Sequence, residues 1–155
     1  MTFDIRQDDL SGDAIQALIA LHLGGMHANS PPEAVFALDL SGLRAPEVTV
    51  WSVWDGESLA GVGAMKMLGD GVGELKSMRT APAHLRKGVA SALLNHIIGE
   101  ARARGLTRLS LETGRGPAFE PALALYRTRG FTDGEAFADY QPNPFSQFLH
   151  MELEP

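Results

Sequence analysis

Cysteine is absent from the 155-residue chain. That excludes disulfides, thiolate metal sites and a cysteine nucleophile, and it suits a cytoplasmic setting. Long apolar runs are missing too: none approaches the ~18 residues a membrane span requires, so no membrane partner is expected. The opening MTFDIRQDDL has neither a basic n-region nor an apolar h-region, and no secretion signal is expected. No repeat, linker or low-complexity tract is present. Net positive charge is lacking, at −6 overall, which argues against nucleic acid as the main partner. The five histidines, His22, His27, His84, His96 and His150, show no compact ligand spacing, so no metal is expected.

Hydrophobic residues make up 45% and charged residues 21%, ordinary values for one globular domain over residues 1–155. The charge is unevenly spread. Lys76 to Arg129 carries a net +7 and the rest of the chain −13. An acidic protein with one basic segment suggests a local anion site, although Arg102, Arg104 and Arg108 read as a solvated helix face and its surroundings.

Alternation in TFDIRQ predicts an opening strand, and Ile15, Leu18, Ile19 and Leu21 predict a helix over about Ala14–Leu23. SPPE at 30–33 reads as a second helix start, with Ser30 as cap, Pro31 in the first position and Glu33 closing a capping box. VTVWSVW and LAGVGAMKM are strands around the turn residues Asp55 and Gly56, whose turn chemistry predicts a hairpin; Trp51, Trp54 and Met65 on them read as core. GELKSMRT is the next strand. A helix follows from about Gly88 to Arg104, with Val89, Ala92, Leu93, Ile97 and Ala101 as its apolar face and Gly105 as its stop. LTRLSLET is a strand and EPALALYRTRG a helix, and strands return at Ala136–Tyr140 and Ser146–Leu153. The order β–α–α–β–β–β–α–β–α–β–β predicts one mixed α/β domain.

The start of the strongest helix is anomalous. In MRTAPAHLRKGVASALL, Arg86 and Lys87 stand where the helix dipole already places positive charge, and no Ser, Thr, Asp or Asn precedes them as a cap. A strand, a loop and a helix whose first turn holds Gly88, Ala90 and Ser91 make a surface thin enough for a phosphate to reach the free N–H groups. GDGVGELKS is not a P-loop, because Leu75 stands where glycine must precede Lys-Ser, and it lacks the spacing and context of a dinucleotide fingerprint.

The frame LRKGVA, with Pro82 ahead of it, resembles the acetyl-CoA-binding motif of the GNAT N-acetyltransferase superfamily. Gly88 and Ala90 match, and Leu85 stands where the family usually has Gln or Arg, with Arg86 and Lys87 beside it as cations. LALYRTRGF resembles the family's later helix and loop through Ala122, Leu125, Tyr126, Gly130 and Phe131; Phe119 occupies a position that is often Asn or Gln. SPPE, ELKSMRT, LSLETG and FADYQPNPFS resemble a bacterial subgroup of small GNAT proteins.

The resemblance implies the GNAT fold, a mixed central sheet flanked by helices, and acetyl-CoA as co-substrate. It implies a pyrophosphate held by backbone amides at Arg86, Lys87, Gly88, Val89, Ala90 and Ser91. Met78, Arg79 and Thr80 would run beside the pantetheine arm, and a Met78 N–H would polarise the thioester carbonyl. Phe119 would line the cofactor site. Tyr126 is the implied general acid, or else a packing residue of its helix, and Glu74 the candidate general base, or else a surface or salt-bridged carboxylate. HLGGMHANS places His22, Met26, His27 and Asn29 at a glycine-broken helix end, where His22 and His27 are candidates for the acceptor site. Tyr140, in a loop that either lines that site or bends between strands, is a third. With no thiol for an acyl-enzyme, direct transfer in a ternary complex is expected, to a small-molecule amine or alternatively to a protein N-terminus or lysine. A non-catalytic acyl-CoA-binding module is the remaining alternative. Homodimers are common in the family, so a homodimer is the expected assembly.

Overall fold

The computed structural model describes residues 2–153. Its strands and helices are β1 (Asp4–Gln7), α1 (Asp13–Asn29), α2 (Leu40–Leu43), β2 (Val48–Asp55), β3 (Ser58–Gly69), β4 (Val72–Thr80), α3 (Val89–Ala103), β5 (Arg108–Thr113), α4 (Glu120–Thr128), β6 (Thr132–Asp133) and β7 (Gln147–Glu152). This is the order expected from the sequence. Single 3-10 turns lie at Pro32–Ala34, Pro82–His84 and Pro117–Phe119. Among the described residues no helix is long and apolar enough to cross a membrane.

The seven strands form one sheet in the order β1-β2-β3-β4-β5-β7-β6. Every pair is antiparallel except β4–β5. Only that pair needs a crossover, and α3 supplies it. β3 lies inside the sheet and is buried on both faces over its middle, which explains its nearly continuous apolar sequence. One face packs Met65, Leu75, Leu109 and Leu149 against Leu93 and Ile97 of α3, with Tyr126 of α4 in the same cluster. On the other, Val50, Val62 and Ala64 pack against Ile15, Leu18 and Ile19 of α1 and Leu43 of α2.

Three sequence expectations are corrected. α1 does not stop at Leu23 but continues through Gly24 and Gly25 to Asn29, whose side-chain amide donates to the Gly25 carbonyl at 2.8 Å. Ser30 ends this helix instead of starting the next, its hydroxyl has no hydrogen-bond partner among the described residues, and the capping box does not form. The second helix begins at Leu40, where the Asp39 side chain accepts from the Gly42 N–H at 2.8 Å. The strand expected at Ala136–Tyr140 is irregular, and β6 sits earlier at Thr132–Asp133. Ala138 has φ +51, which breaks an extended run, and Phe137 and Tyr140 both turn onto Phe148 instead of alternating.

Close approach of α3 to the sheet depends on Gly63 of β3. A Cβ there would stand 2.6 Å from Met78 Sδ and 2.8 Å from Leu93 Cδ2. Gly63→Ala is expected to destabilise the fold by about 1–3 kcal/mol through overpacking, read as a lowered urea midpoint. An unchanged midpoint would show that Met78 and Leu93 yield freely.

Candidate active site between two parting strands

β4 and β5 pair only from Val72–Arg108 to Glu74–Ser110, although β4 runs on to Thr80 and β5 to Thr113. β5 keeps its register with β7 as far as Thr113–Gln147. β4 instead bulges. Between the pairs Ala64–Lys76 and Val62–Arg79, two residues of β4 oppose Gly63 alone, and Ser77 takes φ +59. The two strands thereby part, and a cleft of about 620 Å³ opens between them, bounded also by α1 and α4.

Glu74 closes the narrow end, 3% exposed. Its Oε2 accepts from Lys76 Nζ at 3.1 Å and from the Tyr140 hydroxyl, and Lys76 Nζ also donates to the Tyr140 oxygen at 2.9 Å. Tyr140 is fixed by edge-on contacts with Phe36 and Phe137, each at 5.1 Å between ring centres. Burial and the neighbouring Glu74 push its phenol up. Burial also pushes the Glu112 carboxyl up on the opposite wall, where it too lines the cleft.

From the α4 side Tyr126 enters the cleft, packed edge-on to Phe131 at 5.8 Å. Burial pushes its phenol up to about 12. Phe119 lines the same wall, edge-on to Phe145 at 5.4 Å.

At the wide end stands the first turn of α3. Gly88 precedes it with φ +84, no side chain caps it, and Arg86 also lies in the left-handed region at φ +63. The first helical bond runs from the Ala92 N–H to the Gly88 carbonyl at 3.0 Å, so the N–H groups of Val89, Ala90 and Ser91 have no helical acceptor. Leu85, Arg86, Lys87 and Gly88 are exposed around them. The Ser91 hydroxyl is occupied by Arg129, which also donates to Asn95 Oδ1 at 2.9 Å.

α1 supplies the remaining wall. His22 is buried, and its Nδ1 accepts from Arg79 Nε at 3.0 Å. Burial, reinforced by Arg79, brings His22 down to about 4. It is therefore neutral at pH 7, with its proton on Nε2, and a weak base. His27 is corrected. It is exposed and does not line the cleft, because an unbroken helix carries position 27 about 140° around from position 22.

The family model described as "Acetyltransferase (GNAT) family" matches residues 15–131. The chain belongs to the GNAT acetyltransferase family. The N-acetyltransferase YedL of Escherichia coli (strain K12), itself described as uncharacterized, is 56% identical over 97% of this chain and 95% of its own length. YsnE of Bacillus subtilis (strain 168), described in the same words, is 52% identical over 96% of this chain and 99% of its own. A solved structure from Klebsiella pneumoniae, described as an acyl-CoA N-acyltransferase, superposes with TM-score 0.83 at 29% identity, covering 99% of both chains.

GNAT enzymes are acetyl-CoA-dependent, and the residues present suit that co-substrate: three N–H groups without an acceptor at a cation-flanked helix start, opening onto a cleft between two strand edges. Several residues of this GNAT cleft escape sequence reading. Lys76 was signalled only by Glu74-x-Lys76, whose spacing puts both on one strand face. Phe36, Glu112 and Arg129 gave no signal, since each reaches the site across tens of residues of chain.

The depressed His22 sets a pH dependence. Above its unfolded value of 6.5 both states are neutral and its contribution is fully present; as pH falls toward about 4 the unfolded chain alone takes up the proton. Stability is expected to fall by on the order of 2 kcal/mol from this group between pH 7 and 4.5. Urea titrations at both pH values should show a smaller drop in His22→Gln; an identical drop would mean that His22 titrates normally in the fold.

Proposed function

We propose that this GNAT protein transfers an acetyl group from acetyl-CoA directly to a primary amine of a small molecule within a ternary complex. The observation that carries this reading is the parting of β4 and β5 with Glu74 and Tyr126 on the walls of the resulting cleft. Acetyl-CoA supplies an activated thioester to that cleft. The N–H groups of Val89, Ala90 and Ser91 would hold the pyrophosphate, with Arg86 and Lys87 beside it, so that the ligand caps the helix. The β4 edge at Met78, Arg79 and Thr80, not paired with β5, offers backbone partners to an extended arm, and the Met78 N–H a donor to the carbonyl oxygen.

An amine attacks only when neutral, while a lysine-like ammonium has a pKa near ~10.4. Glu74 takes up that proton, directly or through water. Lys76 and Tyr140 fix Oε2 and leave Oε1 without a hydrogen bond among the described residues. Tyr126, held at about 12, remains protonated at neutral pH and presents its O–H to the leaving sulfur. Proton transfer from so weak an acid to a thiolate near ~8.5 is uphill. The hydrogen bond that stabilises the departing charge is therefore the larger part of its role. His22, pushed down to about 4, binds and orients but does not act as the base.

Tyr126→Phe is expected to lower kcat roughly 10–100-fold in an acceptor screen with acetyl-CoA, while the rise in Tm produced by acetyl-CoA persists. Unchanged turnover would return Tyr126 to a packing role. Gly88→Val is expected to abolish that rise, because it strains a φ of +84 and projects a side chain where the phosphate approaches. A variant that still responds fully would remove the pyrophosphate from this helix start.

A further inference from the structure

Arg79 is half-buried inside the cleft and has no carboxylate partner among the described residues. The other cation deep in the cleft, Lys76, is neutralised by Glu74. Arg79 instead donates through Nε to a neutral imidazole and, at 3.5 Å through Nη2, to the His22 carbonyl; Nη1 has no partner among the described residues. A guanidinium taken from water without a counterion is costly. Burial already pulls its pKa down.

Its position is also built for. Arg79 pairs across the sheet with Val62, whose side chain belongs to the α1 and α2 face, away from α3 and its free N–H groups. On that face Gly25 interrupts an otherwise good helix sequence. A Cβ at position 25 would stand 2.9 Å from Arg79 Nη2. A helical glycine is destabilising relative to alanine, and here its missing side chain is the space the guanidinium occupies. Held on one edge by His22, the planar fork is aimed and partly unsatisfied, the arrangement that suits a carboxylate.

We propose that the Arg79 side chain binds a carboxylate of the acetyl acceptor, which is therefore an amino acid or a similarly built amino-carboxylate, and not a simple amine. The inference rests on the acetyltransferase reading above and narrows its acceptor. Phe36 and Met26, which line the same wall, would face the acceptor's apolar part.

The test uses the full chain with acetyl-CoA and the twenty α-amino acids. Phenylalanine, leucine and lysine are paired with phenethylamine, 3-methylbutylamine and cadaverine, and O-phosphoethanolamine serves as the phosphate counterpart. At least one amino acid is expected to exceed its decarboxylated amine roughly tenfold or more in kcat/KM. Arg79→Met should erase that preference and raise the acceptor KM far more than the acetyl-CoA KM, and Arg79→Lys should restore part of it. Gly25→Ala should fold with an undiminished Tm, since only the tip of a flexible side chain must move, yet should raise the amino-acid KM. Decarboxylated amines used as well as amino acids, a preference for O-phosphoethanolamine, or a preference untouched by Arg79→Met would overturn the carboxylate assignment and leave the acetyltransferase reading standing. Acetyl-CoA binding without turnover of any amino acid would overturn it as well. Absence of both acetyl-CoA binding and turnover would bring down the acetyltransferase reading itself.

Discussion

Everything at the cleft depends on where hydrogen bonding between β4 and β5 stops. After Glu74–Ser110 the outer edge of each strand continues without its neighbour, while the inner edges stay paired with β3 and β7. Backbone N–H and C=O groups left without partners inside a protein are costly, and two strands in register would normally zip to their ends. What prevents this is the bulge at Ser77–Met78. It twists β4 away and holds a non-glycine residue at φ +59. Gly63 permits the bulge, because Met78 Sδ comes to within 2.6 Å of the place a Cβ would take. The cleft is thus a defect in a ladder, held open by packing on the α3 side, and its walls are strand edges ready to pair with an extended ligand.

A second constraint acts at the closed end of the same defect. Glu74 is the last β4 residue paired to β5, so its backbone is held by two strands at once. Burying a carboxylate, an ammonium and a phenol together is tolerable only when their hydrogen bonds are mutually satisfied. The triangle of Glu74, Lys76 and Tyr140 meets that condition, and Phe36, Phe137 and Phe148 keep water from loosening it. The triangle also explains the irregular stretch after β6. Tyr140 must reach back across the sheet to Glu74, so its segment follows aromatic contacts in place of a strand register.

Most of the fold was legible because periodicity, turn residues and caps carried local information. The element order, the Asp55–Gly56 hairpin, the uncapped start of α3 and the core roles of Trp51 and Met65 all follow from residues near one another in sequence. The misreadings share a cause. Gly24 and Gly25 looked like a helix end, and SPPE like a helix start, because intrinsic propensity favoured a break there. Tertiary demands overrode it. The buried Ile15, Leu18, Ile19 and His22 keep one face of α1 against the sheet, and Arg79 needs the room at Gly25. His27 went to the wrong place for the same reason. At the site, Glu74 and Tyr126 could be nominated from motif position, but Lys76, Phe36, Glu112 and the side chain of Arg79 could not, since their meaning lies in cross-sheet neighbours.

The basic segment from Lys76 to Arg129 resolves on the same principle. Away from the cleft three of its charges are neutralised locally, Arg104 by Glu100, Arg108 by Glu152 and Arg127 by Asp133, while Arg102 and Arg115 have no carboxylate partner among the described residues. Exposed pairs of this kind contribute little to stability, but they cancel one another's field within about a Debye length of ~8–10 Å. Arg79, Arg86, Lys87 and Arg129 have no carboxylate partner among the described residues, and all four stand in the cleft or at the α3 start. Four of the six cations of the segment without a carboxylate partner among the described residues thus stand where an anionic ligand would enter, although the protein as a whole is acidic. The −13 on the rest of the chain repels polyanions at long range, while these four cations attract a small anion at short range. Net charge and site charge of opposite sign thus favour a small, multiply charged ligand over a nucleic acid, a distinction that neither the total charge nor the cation count makes by itself.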